Sequence, residues 1–303
     1  MVNVKVLYDK PYGSDQVNFC QMNSKLEEHT NPNYFDHYLL KLVIAMLQEL
    51  LKSDLFKPLL ERPIDYITIS LVENLGMEGR GRFYEPTNVV RDMIQNHGLQ
   101  LACAVIRNMT PNLRENDVHE ANQFILANTE LKELVLAQYL PGEIDGNPVK
   151  GYRQEEGVNP NSNTPTYFCG LFLVCGKHVY IRTGKRLKKK VAEITIHFQS
   201  GAILVFRLAP NPCAIIRLNE EIKFKAEFNL EPEAPYAQIM RDLMLGDTSR
   251  IVTPPEIDLS WKIVDPALKS TDLFYYESGS WGPVEAALML QKEGRSWWIP
   301  GRE

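Results

Sequence analysis

YFCGLFLV (residues 167–174), EITIHF (193–198), AILVFRL (202–208), AIIRL (214–218) and IKFKAEF (222–228) are short runs of β-branched, aromatic and aliphatic residues separated by turn-forming segments. Runs of this length and composition, following one another so closely, predict strands that pair with their sequence neighbours in an antiparallel sheet. Upstream, DYITISL (65–71) sets Tyr66, Thr68 and Ser70 against Ile67, Ile69 and Leu71, which predicts a half-buried strand with Glu73 just past its end. Helical spacing is predicted over 35–50, 88–106, 116–128, 130–136, 235–245 and 284–292, the last two covering one face of the sheet. The first 30 residues read as strand, turn and helix, beginning with an apolar strand at 2–7 and closed by Asn31-Pro32-Asn33. Residues 141–165, rich in Gly, Pro and Asn, read as loop. The fold class is therefore α+β.

With 303 residues, 44% of them hydrophobic and 23% charged, the chain has enough apolar material for one large domain. A formal charge of −5 argues against a nucleic-acid partner, because affinity for a phosphate backbone needs a basic surface. The run Lys185-Arg186-Leu187-Lys188-Lys189-Lys190 is the exception, and for Lys188 and Lys189 a solvated turn is the simpler reading. The five cysteines (20, 103, 169, 175, 213) are scattered and form no Cys-x-x-Cys pair, so no metal is expected and the compartment is read as reducing. No apolar run is long enough to span a bilayer and no signal-peptide pattern opens the chain, which makes the cytoplasm the default location with no membrane partner.

Two segments carry candidate chemistry. DHYLLK (36–41), if helical, stands His37, Tyr38 and Lys41 one turn apart, a spacing suited to a phosphate dianion. The simpler reading of the run is the capped start of a helix with partly exposed aromatics. In QNHGLQ (95–100), His97 shares a stripe with Val90, Met93, Ile94, Leu101 and Val105. A histidine there is either a satisfied core residue or a base; if Asp36 lies beside it, the carboxylate should raise its pKa.

Blocks along the chain resemble the glucose-6-phosphate dehydrogenase family. VLYDKPYG (6–13) is similar to the family's EKPFG motif, and NYFDHYLLKL (33–42) to RIDHYLGKE. EGRGRFYEPTNVVRDMIQNHGLQL (78–101) resembles EGRGGYYDxxGxxRDMxQNHLLQL, and AQYLPGEIDGNPVKGYRQEEGV (137–158) resembles GQYxxGxxxGxxVxGYxEExGV. VYIRTGKRLKKKVAEITIHF (179–198), EAPYAQIMRDLMLGDTSRIV (233–252) and SGSWGPVEAALMLQKEGRSWW (278–298) are similar to its last three blocks, in the same order.

The resemblance implies a large, mostly antiparallel sheet with helices on one face over residues 34–303, and a short remnant of an α/β dinucleotide-binding domain over 1–33. It implies oxidation of the C1 hydroxyl of glucose 6-phosphate to the lactone, with NADP as hydride acceptor, at the entry to the pentose-phosphate pathway. His97 matches the base and Asp36 the carboxylate that orients it. His37, Tyr38, Lys41 and Lys185 match the phosphate partners, and Glu73, Glu85 and Lys10 the sugar contacts, Lys10 also lying beside the coenzyme with Pro11 in a cis bond. The glycine-rich turn that opens the family's coenzyme domain has no counterpart here. The chain by itself is thus expected to be incomplete and inactive toward NADP.

Several positions depart from the family pattern. Tyr34 replaces an arginine, Leu40 a glycine and Leu42 a glutamate, making the surface expected to face the coenzyme apolar. Glu85 replaces an aspartate, and Arg82 and Asn88 replace glycines. Val191 and Thr195 stand where a second, structural NADP would need basic residues, and the stretch from Asn219 to Pro235 is shorter by about one hairpin. The alternative to an enzyme is a non-catalytic sugar-phosphate-binding or subunit-binding module derived from one. A homo-oligomer, or association with a complete family member, is the expected assembly.

Overall fold

The computed structural model describes residues 6–30, 32–54, 56–114, 117–218, 221–228 and 234–299. In chain order the strands are β1 (Val6–Tyr8), β2 (Pro32–Phe35), β3 (Ile64–Val72), β4 (Thr129–Leu140), β5 (Gly142–Ile144), β6 (Asn147–Val149), β7 (Tyr167–Val174), β8 (Lys177–Gly184), β9 (Val191–Phe198), β10 (Ile203–Ala209), β11 (Cys213–Leu218), β12 (Glu221–Glu227), β13 (Ile251–Val252) and β14 (Phe274–Glu277). The α-helices are α1 (Gln16–Glu27), α2 (Leu42–Lys52), α3 (Lys57–Leu60), α4 (Gly81–Val89), α5 (Leu99–Met109), α6 (Pro111–Arg114), α7 (Val118–Ala127), α8 (Pro235–Leu245), α9 (Pro254–Lys269) and α10 (Val284–Gln291). A π-helix, Val90–Gly98, joins α4 to α5. Among the described residues no helix is long and apolar enough to cross a membrane.

Nine strands form one sheet in the order β12-β11-β10-β9-β3-β8-β7-β4-β14. The pairs β3–β8 and β14–β4 are parallel and the others antiparallel. The five strand runs at 167–228 all appear in it, with β8 and β14 added. β3 is buried along most of its length rather than half-buried, because both of its faces are covered. On one side Ile181 of β8 faces the π-helix at Gly98. The alternate side chain Arg182 stacks on Trp281 and Trp297, beside α10, on the other.

Residues 130–136, expected as helix, form the first half of β4. The segment Glu-Leu-Lys-Glu-Leu-Val-Leu has good helix formers, but pairing with β7 overrides that preference, with a register shift between Leu131 and Glu133. α8, expected on the sheet, instead packs Ile239 and Leu243 on Phe35, Leu40 and Ile251.

A second, three-stranded sheet runs β1-β2-β13. β1 and β2 are parallel with α1 as the crossover, a βαβ unit. The Trp261 indole N–H of α9 donates to the Tyr12 carbonyl at 2.9 Å and fastens it to the larger body, while the Tyr12 hydroxyl on the Phe35 carbonyl ties the loop after β1 to β2 within the unit. The expected break between residues 33 and 34 lies inside β2. Residues 2–5 of the expected first strand, Asn31, and parts of the 219–235 stretch lie outside the described residues.

Candidate functional site

Residues 36–41 are a turn leaving β2, and α2 begins only at Leu42. Asp36 explains why: its Oδ1 accepts from the Tyr38 amide at 2.8 Å, a local bond that competes with helical pairing, while Leu39 N donates to the Asp36 carbonyl at 3.0 Å. His37, Tyr38 and Lys41 therefore meet through a turn and not on helical ridges.

Asp36 and His97 are both buried and bonded to each other, Nδ1 of the imidazole lying 2.6 Å from Oδ1 of the carboxylate. Among the described residues, His97 Nε2 and Asp36 Oδ2 are buried without a hydrogen-bond partner. The rings of Tyr38 and His37 lie 4.3 and 4.6 Å from that of His97. Burial pushes the His97 pKa below its ordinary value, outweighing the upward pull of Asp36. Asp36 is also held low: burial would raise its pKa, but His97 and the Tyr38 amide win. The pair thus rests as neutral imidazole and carboxylate, reversing the sign expected from the pairing alone. Stability tied to it is complete above the unfolded pKa values and is lost as pH falls through the folded ones.

The π-helix carrying His97 accounts for a residue that helical periodicity missed. Bonding from i to i+5 brings Asp92 to the His97 side, where an α-helix would rotate it away. Asp92 gathers two cations: Lys10 Nζ donates to its Oδ1 at 2.7 Å and to its carbonyl at 2.6 Å, and Lys185 Nζ lies 3.9 Å from Oδ2. Lys185 also donates to Glu73 Oε2 at 2.7 Å and sits over the ring of Tyr84. Although burial opposes it, this cation pair keeps the Asp92 pKa low. The bond between Lys10 and Pro11 is cis.

Lys41 is different. Its ammonium lies 5.1 Å over the Tyr38 ring and pairs with no carboxylate among the described residues. Burial and Lys190 lower its pKa, with Asp36 opposing. His37 Nδ1 is 3.8 Å from Asp9 Oδ1, and a cavity of about 320 Å³ opens beside His37 and Lys41. Asp36, His37 and His97 also present one ligand atom each within 4.8 Å of one another, close enough for a divalent cation.

Glu85 is turned elsewhere: its Oε1 accepts from the Tyr152 hydroxyl at 2.5 Å and from Ser162 at 2.7 Å. The helix carrying it starts where Gly81 presses on the Glu156 carbonyl and Val158, leaving no room for a Cβ. Asn88 adopts φ +50°, a glycine-like value, and its Oδ1 caps the amides of Val90 at 2.9 Å and Arg91 at 3.3 Å. Tyr34 and Leu40, expected on a coenzyme-facing surface, are buried, Tyr34 among Tyr12 and Phe19 and Leu40 beneath α8. Lys188 and Lys189 are exposed, as a solvated turn requires.

A sequence model of the glucose-6-phosphate dehydrogenase C-terminal domain matches residues 51–220 and 213–298. Glucose-6-phosphate 1-dehydrogenase of Aggregatibacter actinomycetemcomitans is 32% identical, the match covering 98% of this chain and 69% of the relative. That of Bacillus subtilis is 30% identical over 97% of this chain and 70% of its own. Among solved structures, the Mycobacterium avium enzyme superposes with a TM-score of 0.79 at 24% identity, covering 98% of this chain and 71% of that one. A glucose-6-phosphate dehydrogenase in complex with its substrate glucose 6-phosphate gives 0.83 at 22%, covering 97% and 70%. At such identities the structures speak for the fold; with the family match and the relatives, the chain belongs to the glucose-6-phosphate dehydrogenase family.

Proposed function

We propose that this chain binds glucose 6-phosphate and that His97 takes the proton of its C1 hydroxyl. The observation that carries the reading is the buried His97 Nε2, unpartnered, on a neutral ring whose other nitrogen is fixed by Asp36. That is a base with a single open acceptor; Asp36 selects the tautomer and stabilises the imidazolium formed on proton transfer. Lys41, His37 and Tyr38 are read as the phosphate grip. Of the lysines in this cluster, Lys41 is the one with no carboxylate partner among the described residues, and a dianion would relieve the cost of its burial. Lys185, Lys10 and Glu73 form the neighbouring charge cluster, read as sugar contacts together with Lys185 on the phosphate. Glu85 joins the ring contacts in this reading only by leaving Tyr152 and Ser162.

NADP is the family's coenzyme, and the described residues fit it poorly. The N-terminus of α1, the helix of the β1-α1-β2 unit, is capped by its own Asp15, whose carboxylate accepts from Asn18 N at 2.8 Å, so it meets an anion with a negative charge and not with free amides. Lys10 is engaged by Asp92. No step through the coenzyme is derived. Residues 1–33 are read as the trailing βαβ turn of a coenzyme-binding domain, residues 34–303 as the sugar-phosphate half. The reading places the protein in the cytoplasm, in keeping with five free cysteines, and pairs it with a second copy or a complete family member.

Calorimetric titration tests the assignment. Glucose 6-phosphate should bind saturably and glucose poorly, and Lys41→Ala combined with Lys185→Ala should abolish the difference. Equal affinity for the two sugars would contradict it. Absorbance of NADPH in the same mixtures separates an enzyme from a binding module, and no turnover is expected from this chain alone.

A further inference from the structure

Behind the 36–41 turn lies a second cavity of about 260 Å³, between α5, the start of α7 and the 247–250 segment. Leu39 and Ile44 contribute an apolar wall, Arg107, Arg250 and Gln100 a polar one. Arg250 is committed, 2.9 Å from Asp242. Arg107 is not. Of its five N–H donors, the one bond to a side chain of the described residues runs to Asn122 Oδ1 at 3.0 Å, and no carboxylate of the described residues pairs with it. Gln100 is buried, and its Oε1 has no partner among the described residues. Asp247 also lines the cavity, its carboxylate accepting from Ser249 N at 2.9 Å.

A half-buried guanidinium with open donors, against an apolar wall, matches a planar carboxylate on a short hydrocarbon body. With Arg250 paired to Asp242 and Asp247 also on the lining, the Arg107 guanidinium is the one cation offered to a ligand, which suits a single carboxylate better than a phosphate dianion. The volume admits a molecule of metabolite size. We propose that this cavity is a second ligand site, taking a small monocarboxylate with an apolar body, its carboxylate on Arg107 and its chain against Leu39 and Ile44. The assignment stands apart from the sugar-phosphate reading, since none of these residues belongs to that grip.

The test is calorimetric titration of the full chain with 3-methylbutanoate, its neutral amide 3-methylbutanamide, and inorganic phosphate. The carboxylate should bind saturably, and the amide roughly tenfold or more weakly, the loss expected for one charge-assisted contact. Arg107→Gln should cause a similar loss. Ala104→Leu, which fills the cavity from α5 and leaves Arg107 in place, should abolish binding, so the result does not hang on the folding of one variant. Binding of the amide as tight as the acid, affinity indifferent to both variants, tighter binding of phosphate, or no saturable binding of the carboxylate would each overturn the proposal.

Discussion

Replacing Asp36 with asparagine removes one charge from the side chain that holds the His97 ring and leaves its shape nearly unchanged. In the native site Oδ1 of Asp36 accepts from both His97 Nδ1 (2.6 Å) and Tyr38 N (2.8 Å), with both side chains buried. A hydrogen bond to a charged group contributes about 1.5–3 kcal/mol and a neutral one about 1 kcal/mol, so the imidazolium loses about 1–2 kcal/mol of support. At 1.36 kcal/mol per unit, the His97 pKa should fall by about one unit from a value that burial already holds low. Nuclear magnetic resonance titration of the His97 ring nitrogens in the two proteins reads this directly. The asparagine can also turn its amide toward Nδ1, forcing the proton onto Nε2 and closing the open acceptor, a change visible in the nitrogen shifts. Acid unfolding of the variant should lose the part of its pH dependence that Asp36 supplies, below the ordinary carboxylate range. An unchanged or raised His97 pKa in Asp36→Asn would refute the dyad.

Leu40→Gly, which restores the family's glycine, should destabilise the protein by about 3–5 kcal/mol, because Leu40 is buried against Phe35, Ile239, Leu243 and Ile251. A urea midpoint that does not move would show the contact to be idle. His197 stacks on Tyr66 with ring centroids 4.0 Å apart, and burial lowers its pKa to about 4. Protonation in the unfolded chain should then cost up to about 3 kcal/mol of stability as pH falls from about 6.5 to 4. His197→Phe keeps the stack and should flatten that part of the stability profile, which denaturation at several pH values would record.

The antiparallel sheet was legible because its strands are short, β-branched and close in sequence, and residues 65–71 announced the central strand by alternation. β4 was not, because its composition suits a helix and only the distant partner β7 makes it a strand. The site divided in the same way. His97 stood out as a polar group in an apolar stripe, and Asp36 as its partner followed from family resemblance. Asp92 is not legible in the sequence, since a 3.6-residue period points it away from His97 and only the π-helix turns it back. The substitutions at Tyr34 and Leu40 looked like changes to a coenzyme-facing surface. They are packing residues here, a role set by Tyr12, Phe19 and α8, which sequence order does not bring near.

The central claim is that His97 Nε2 faces the C1 hydroxyl of a bound sugar phosphate, and the nitrogen resonance of that atom tests it most directly. Glucose 6-phosphate should shift it on binding. 1,5-Anhydroglucitol 6-phosphate, which has the phosphate and ring but no C1 hydroxyl, should bind through the same lysines and leave it nearly where it was. Equal shifts with both compounds, or a shift with neither while both bind, would contradict the account.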